Sequence, residues 1–240
     1  MPSHWAERQT GQTSIASSRF DFGRIAGRYD RWYQSRRGAL YDRVEKQAMD
    51  RLLPDAGKGK RLLDVGCGTG HWSAYFARKG FDVTGVDISE QMIRVAQAKD
   101  NFGGRFQVAD AQNLPFADDQ FDVAAAVTVI EFAAHPTRLL AEMARCVKKR
   151  TGTLVIGTLN ALAPYNQARR TQHRSVYASA HLLSPQETQD LLSPFGQVDM
   201  RIVGFVCETD CLLPLSPVVE RLGRFLDSQR GAFIAARVRL

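Results

Sequence analysis

Arg61-Leu62-Leu63-Asp64-Val65-Gly66-Cys67-Gly68-Thr69-Gly70 is the stretch on which the chain turns. An apolar run ends in three glycines at alternate positions, and His71–Lys79 follows with helical patterning. A strand that runs into a Gly-rich turn and then a helix is a place to hold a nucleotide-like cofactor. Glycine tolerates positive φ and lets a ligand lie against the backbone. The free N–H groups at the helix start add donors. A dinucleotide site wants Gly-x-Gly-x-x-Gly. Here the third glycine, Gly70, comes one residue early and position 71 is His.

Elements laid outward from this turn alternate strand and helix. Strands are expected at 61–65, 82–87, 105–109, 121–127, 152–159, 197–206 and 233–238. Helices are expected at 39–53, 71–79, after Ser89, 136–148, 184–192 and 218–226. Ser184-Pro185-Gln186-Glu187 is a capping box with Pro at the first helical position. The pattern predicts an α/β fold: a doubly wound, mostly parallel, seven-stranded sheet with one antiparallel strand, the last, beside strand six. Residues 1–19 read as a polar tail and 20–240 as one domain. No strong periodicity marks 160–183, which reads as a loop.

Acids fall at two strand ends. Asp87 lies 21 residues after Gly66, where a carboxylate can accept hydrogen bonds from both ribose hydroxyls. Ile88 and Met92 follow and could flank an adenine. Asp110-Ala111 closes the next strand, and Thr128-Val129-Ile130-Glu131-Phe132 closes the apolar fourth one.

The motif Leu63-Asp64-Val65-Gly66-Cys67-Gly68-Thr69-Gly70, with Asp87 and Asp110, resembles class I S-adenosylmethionine (SAM)-dependent methyltransferases of the small-molecule type, close to the type 11 and quinone-modifying members. The phrase Ile25-Ala26-x-x-Tyr29-Asp30-x-Trp32-Tyr33 resembles their N-terminal lid, here placed in residues 20–53. The resemblance implies SAM as cofactor and S-adenosylhomocysteine as product. It implies cofactor contacts from Tyr29, Asp64, Gly66, Cys67, Gly68, Gly70, Asp87, Ile88, Met92, Asp110, Ala111 and Thr128. Asp110 would meet the adenine amino group. Packing alone is the alternative reading for Tyr29 and Tyr33.

Many relatives carry Leu-Glu-His where this chain has Ile130-Glu131-Phe132, so the usual histidine base is missing. Glu131 and His135 are the candidates for proton transfer. The acceptor would be a small molecule met by Tyr33, Phe132, Tyr165, Arg169, Arg170, Tyr177 and His181, most of them in 160–183. An open α/β sheet binds ligands beyond its strand carboxyl ends, where that loop lies. His173 and Arg174 belong to the same cluster.

Composition narrows the class. With 240 residues, 44% hydrophobic and 24% charged, the chain suits one soluble domain. No apolar run reaches the roughly 18 residues of a membrane span, and the first twenty residues hold no secretory apolar core. A cytoplasmic setting follows. Net charge is +7, with the surplus mostly before residue 61. No nucleic-acid motif accompanies it, and no (Asn/Asp)-Pro-Pro-aromatic or Pro-Cys motif marks a base methylase. Cys207 and Cys211 form a lone C-x3-C, short of a structural zinc site, and no metal is expected. Oligomeric state is not legible. Two rival functions remain: a non-catalytic SAM- or partner-binding protein, and a nicotinamide-dependent oxidoreductase.

Overall fold

The computed structural model describes residue 18 and residues 22–57, 59–172, 175–206, 210–226 and 228–240. Cys207, His173, Arg174 and most of the expected tail lie outside the described residues.

Strand β1 (Arg61–Val65) is flanked in parallel by β2 (Asp82–Asp87) and β4 (Val123–Val127). With β3 (Arg105–Val108), β5 (Thr153–Leu159), β6 (Gln197–Val203) and β7 (Phe233–Arg239), the sheet order is β3-β2-β1-β4-β5-β7-β6. The central strands are buried throughout, as a sheet covered on both faces requires. Alternate residues feed opposite layers. Leu63, Val65, Ala124 and Ile156 pack against Leu139, Leu140 and Met143 of the helix Pro136–Cys146. Leu62, Val83, Val123 and Val155 pack against Met49, Trp72 and Phe76 on the other side.

The helices in chain order are α1 (Arg31–Gln34), α2 (Arg36–Asp50), α3 (His71–Arg78), α4 (Glu90–Lys99), α5 (Pro136–Cys146), α6 (Pro164–Thr171), α7 (Pro185–Leu192) and α8 (Ser216–Phe225). A 3-10 segment, Phe22–Arg28, precedes α1. Three of the helix starts have a side-chain cap. The Ser35 and Ser89 side chains accept from Gly38 and Met92 N–H at the starts of α2 and α4. Both halves of the capping box open α7.

Two expectations are corrected and a third is extended. Strand β7 is antiparallel beside β6, as expected, and it also pairs with β5, lying between the two. Its Phe233, Ile234, Ala235, Ala236 and Val238 are wholly buried, which only an interior strand achieves. The segment 160–183 is not structureless: it holds α6, opened by Pro164, and a 3-10 turn, Val176–Ser179. Its buried helical face carries Asn166 rather than an apolar stripe, so the periodicity is hidden. Strand β6 ends at Val203, short of 206, because the Glu220 carboxylate of α8 accepts the N–H groups of Gly204 and Phe205 at 3.0 and 2.7 Å.

Candidate active site

The Gly turn is built by sterics. Gly66, Gly68 and Gly70 take φ of 69°, 53° and 78°, a region costly for residues with a Cβ. A Cβ on Gly66 would lie 2.4 Å from Val129 Cγ2, whereas one on Gly68 would meet nothing within 4 Å. Gly68 thus opens directly onto a cavity that it lines. The Gly68 N–H donates to Asp87 Oδ2 at 2.9 Å, and the Ser89 N–H donates to Oδ1 at 2.8 Å. Burial pushes the Asp87 carboxyl up, and these two donors pull it back. Each carboxylate oxygen keeps acceptor capacity beyond one amide.

The same cavity collects three strand ends and part of the N-terminal segment. Asp87, Ile88 and Met92 come from the β2 end, Asp110 and Ala111 from beyond β3, and Thr128 from the end of β4. The Gln112 N–H fixes Asp110 by donating to Oδ1 at 2.9 Å. Phe22, Tyr29, Tyr33 and Phe132 supply apolar wall. Cys67 is also in the wall, and burial raises its thiol well above the ordinary range. It is a neutral packing group at physiological pH.

Thr69 of the turn and His71 at the start of α3 tie down the N-terminal segment. Thr69 Oγ1 donates to Asp30 Oδ1 at 2.6 Å. The His71 ring stacks on Tyr33 with centroids 3.7 Å apart and meets Asp42 Oδ1 through Nε2 at 2.7 Å. Lys46 Nζ adds 2.7 Å and 2.9 Å contacts to Asp42 and His71. These partners hold the Asp42 carboxyl below its usual value against the opposing effect of burial.

A second cavity, of about 540 Å³, shares Tyr29, Tyr33 and Thr128 with the first. The Tyr29 and Tyr33 rings meet edge to face at this common wall, with centroids 6.2 Å apart. Beyond it lie Trp32, Tyr41, Tyr165 and Tyr177, with Glu45, Asn166 and three arginines, Arg28, Arg31 and Arg169. The volume is in the range that takes a small organic ligand.

A model of the methyltransferase-domain family matches residues 63–156. Over 168 residues the chain is 31% identical to the ubiquinone biosynthesis O-methyltransferase of Roseobacter denitrificans, spanning 65% of this chain and 67% of that protein. This chain belongs to the SAM-dependent methyltransferases. It is also 33% identical over 149 residues to the malonyl-[acyl-carrier protein] O-methyltransferase of Pectobacterium atrosepticum, a match that covers 61% of this chain and only 55% of the relative. A SAM-dependent methyltransferase of Thermotoga maritima, described as a possible histamine N-methyltransferase, superimposes with a TM-score of 0.70 at 26% identity, covering 91% of this chain and 97% of that one.

Within this methyltransferase, most cofactor-side residues expected from the sequence line the first cavity, and two do not. Asp64 is buried behind the turn, where Ser73 Oγ donates to its Oδ2 at 2.6 Å. Gly70 caps the N-terminus of α3. On the acceptor side, Tyr33, Tyr165, Arg169 and Tyr177 line the second cavity and Phe132 the first. Arg170 and His181 are exposed and line neither.

Glu131 and His135, expected near the chemistry, also line neither cavity. Glu131 is wholly buried and accepts from Leu159 N–H and Thr158 Oγ1, both at 3.2 Å. Burial pushes its carboxyl up to about 7. His135 is exposed at the start of α5. The sequence reading missed Thr69, His71, Glu45, Tyr41 and Asn166. Only His71 left a signal, as the residue that breaks the dinucleotide pattern.

Proposed function

We propose that this chain transfers the methyl group of SAM to an oxygen of a small-molecule acceptor, with cofactor in the first cavity and acceptor in the second. The observation that supports this most directly is that the two cavities meet at Tyr29, Tyr33 and Thr128. The Gly turn is open at Gly68, and Asp87 keeps acceptor capacity, so the residues present fit a ribose-bearing ligand. Asp87 would hold the ribose hydroxyls, Ile88 and Met92 would flank the adenine, and Asp110 with the Ala111 N–H would read its edge. Bound SAM supplies an activated methyl group on a sulfonium. The protein's part is then to hold the acceptor atom in line and to keep water out. Residues 20–53 are the lid in this reading, and α6 with the 3-10 turn after it is the acceptor wall. The two sequence relatives named above are O-methyltransferases and the Thermotoga maritima structure is described as a possible N-methyltransferase; oxygen is carried over from the former two.

Calorimetric titration with SAM, S-adenosylhomocysteine and NAD tests the cofactor. SAM and its product bind and NAD does not. Asp87→Ala loses about 1.5–3 kcal/mol of SAM affinity, the size of hydrogen bonds to a charged group. Failure of both SAM and its product to bind rejects the reading. Binding of both without turnover on any acceptor leaves the non-catalytic alternative.

A further inference from the structure

The second cavity has a chemical character that narrows its ligand. Trp32, Tyr33, Tyr41, Tyr165 and Tyr177 give it flat, apolar walls. Tyr41 and Tyr165 are stacked with centroids 5.0 Å apart. A planar ring fits such walls better than a flexible chain.

An aromatic cage can also hold a cation, but here a protein cation already occupies the ring faces. The Arg169 guanidinium lies 3.6 Å from the centroid of Tyr177 and 5.1 and 5.2 Å from those of Tyr165 and Trp32. With Arg28 and Arg31 it makes three guanidiniums against one carboxyl, that of Glu45. A protonated amine would enter a field of its own sign. A neutral or anionic ligand would not.

Glu45 supplies a polar group of the wall. Among the described residues no hydrogen bond or ion pair engages its carboxyl, and a carboxylate can only accept. A ligand that complements this wall brings a donor, on a ring, without positive charge.

We propose that the acceptor is a phenol, and that Glu45 takes the proton of the hydroxyl that is methylated. The proposal rests on the methyl-transfer reading above and names the substrate class of that same site. In the step, the phenolic O–H proton passes to the Glu45 carboxylate as an oxygen lone pair forms the bond to the methyl carbon. The methyl–sulfur bond breaks and its electron pair stays on sulfur. The products are an aryl methyl ether, neutral S-adenosylhomocysteine and a protonated Glu45, which returns its proton to water.

The surroundings suit that task. Burial, and next the Asp42 charge, push Glu45 up to about 7. Lys46 of its own helix and Arg169 of α6 oppose this, while Glu131 beyond β4 adds to it. Tyr33, Tyr41 and Tyr177 face it as neutral hydroxyls whose own ionisation is suppressed by burial. A carboxyl near neutrality is a better base toward a phenol of pKa about 10 than an ordinary glutamate is.

The test uses the full chain, first confirmed by calorimetry to bind SAM, so that failure of the cofactor reading is seen separately. Catechol, para-nitrophenol and benzylamine are then offered as acceptors to the wild type, Glu45→Gln and Glu45→Asp. Binding of catechol and benzylamine to the S-adenosylhomocysteine complex is measured in parallel. Catechol binds and is methylated, and benzylamine does neither. Glu45→Gln lowers kcat for catechol by about 100-fold or more, the scale of general-base catalysis, with its Kd changed less than about threefold. It spares para-nitrophenol, which is already ionised above neutral pH, and removes the rise in rate through about pH 7. Glu45→Asp restores part of the loss.

Equal losses on catechol and para-nitrophenol overturn the proposal. So does methylation of benzylamine alone, or SAM binding with no phenol methylated.

Discussion

Thr128 is a β-branched residue with φ 55°, in the left-handed region that such side chains avoid. Its N–H donates to Gly157 O at 2.7 Å, and its side chain stands in the wall common to both cavities. Strain of this kind costs about 1–3 kcal/mol and persists where the surroundings impose it. Thr128→Gly should therefore raise unfolding free energy in urea by about 1 kcal/mol after the entropic cost of glycine. It should also lower methyl transfer at least tenfold, because the wall shared by the two cavities loses a side chain. A variant less stable than the parent would show that the strain is not relieved. The family resemblance implied that Thr128 is at the site but carried no sign of its backbone. Gly66, Gly68, Asp87 and Asp110 were legible because a strand end and its turn are local in sequence. Tyr41 and Glu45 lie one turn apart on the same face of α2, where Tyr41 read only as part of an amphipathic pattern and Glu45 left no signal. Asn166 read as a loop residue.

At the scale of elements, the N-terminal segment is pinned to Thr69 of the Gly turn and His71 of α3 through four side chains: Asp30, Tyr33, Asp42 and Lys46. Asp30 also meets Lys99 of α4 at 2.5 Å. The Asp42–His71 contact is partly buried, with side chains 19% and 23% exposed, so water screens it only in part. Asp42→Ala should release His71 and weaken S-adenosylhomocysteine binding about five- to tenfold, roughly 1–1.4 kcal/mol. Stopped-flow displacement should place most of that change in dissociation, as expected when a closed element opens more readily. An unchanged dissociation rate would mean that the helices do not close over the ligand. His71 was legible only as a misfit to the dinucleotide pattern. Its partner lies 29 residues away, and a one-dimensional reading has no means of joining them.

The whole molecule carries an acid–base imbalance that its net charge does not reveal. Asp64, Glu131 and Glu45 are each pushed up to about 7, in every case chiefly by burial. In the unfolded chain these groups lose their protons at ordinary carboxylate values, and in the folded chain only near neutrality. Between those limits the unfolded state holds fewer protons, so stability falls as pH rises toward 7. Asp42, Asp122 and Glu142 are shifted down by their ion pairs. Their stabilisation is complete above the ordinary carboxylate range and is lost as pH falls through their lowered values. The melting temperature should accordingly decline between about pH 5 and 7. Asp64→Asn should flatten the decline, since an amide oxygen can still accept from Ser73. A melting temperature that climbs across that interval would contradict the assignment. The strands and their mostly parallel sense were legible, but their order in the sheet was not: alternation shows that a strand is buried but not between which neighbours.

The family pattern covers residues 63–156, and it holds the Gly turn and the acids at the ends of β2 and β3. The second cavity draws its own lining from outside that span, on α1, α2 and α6. Under the proposed assignment of the two cavities, a lineage could trade one acceptor for another by drift in those helices while the first cavity stayed as it was. Tyr29, Tyr33 and Thr128 are the exception, because each faces both chambers. A change there alters two ligands at once, and these three positions should be the slowest to diverge and the last to choose when the protein is engineered for a new acceptor.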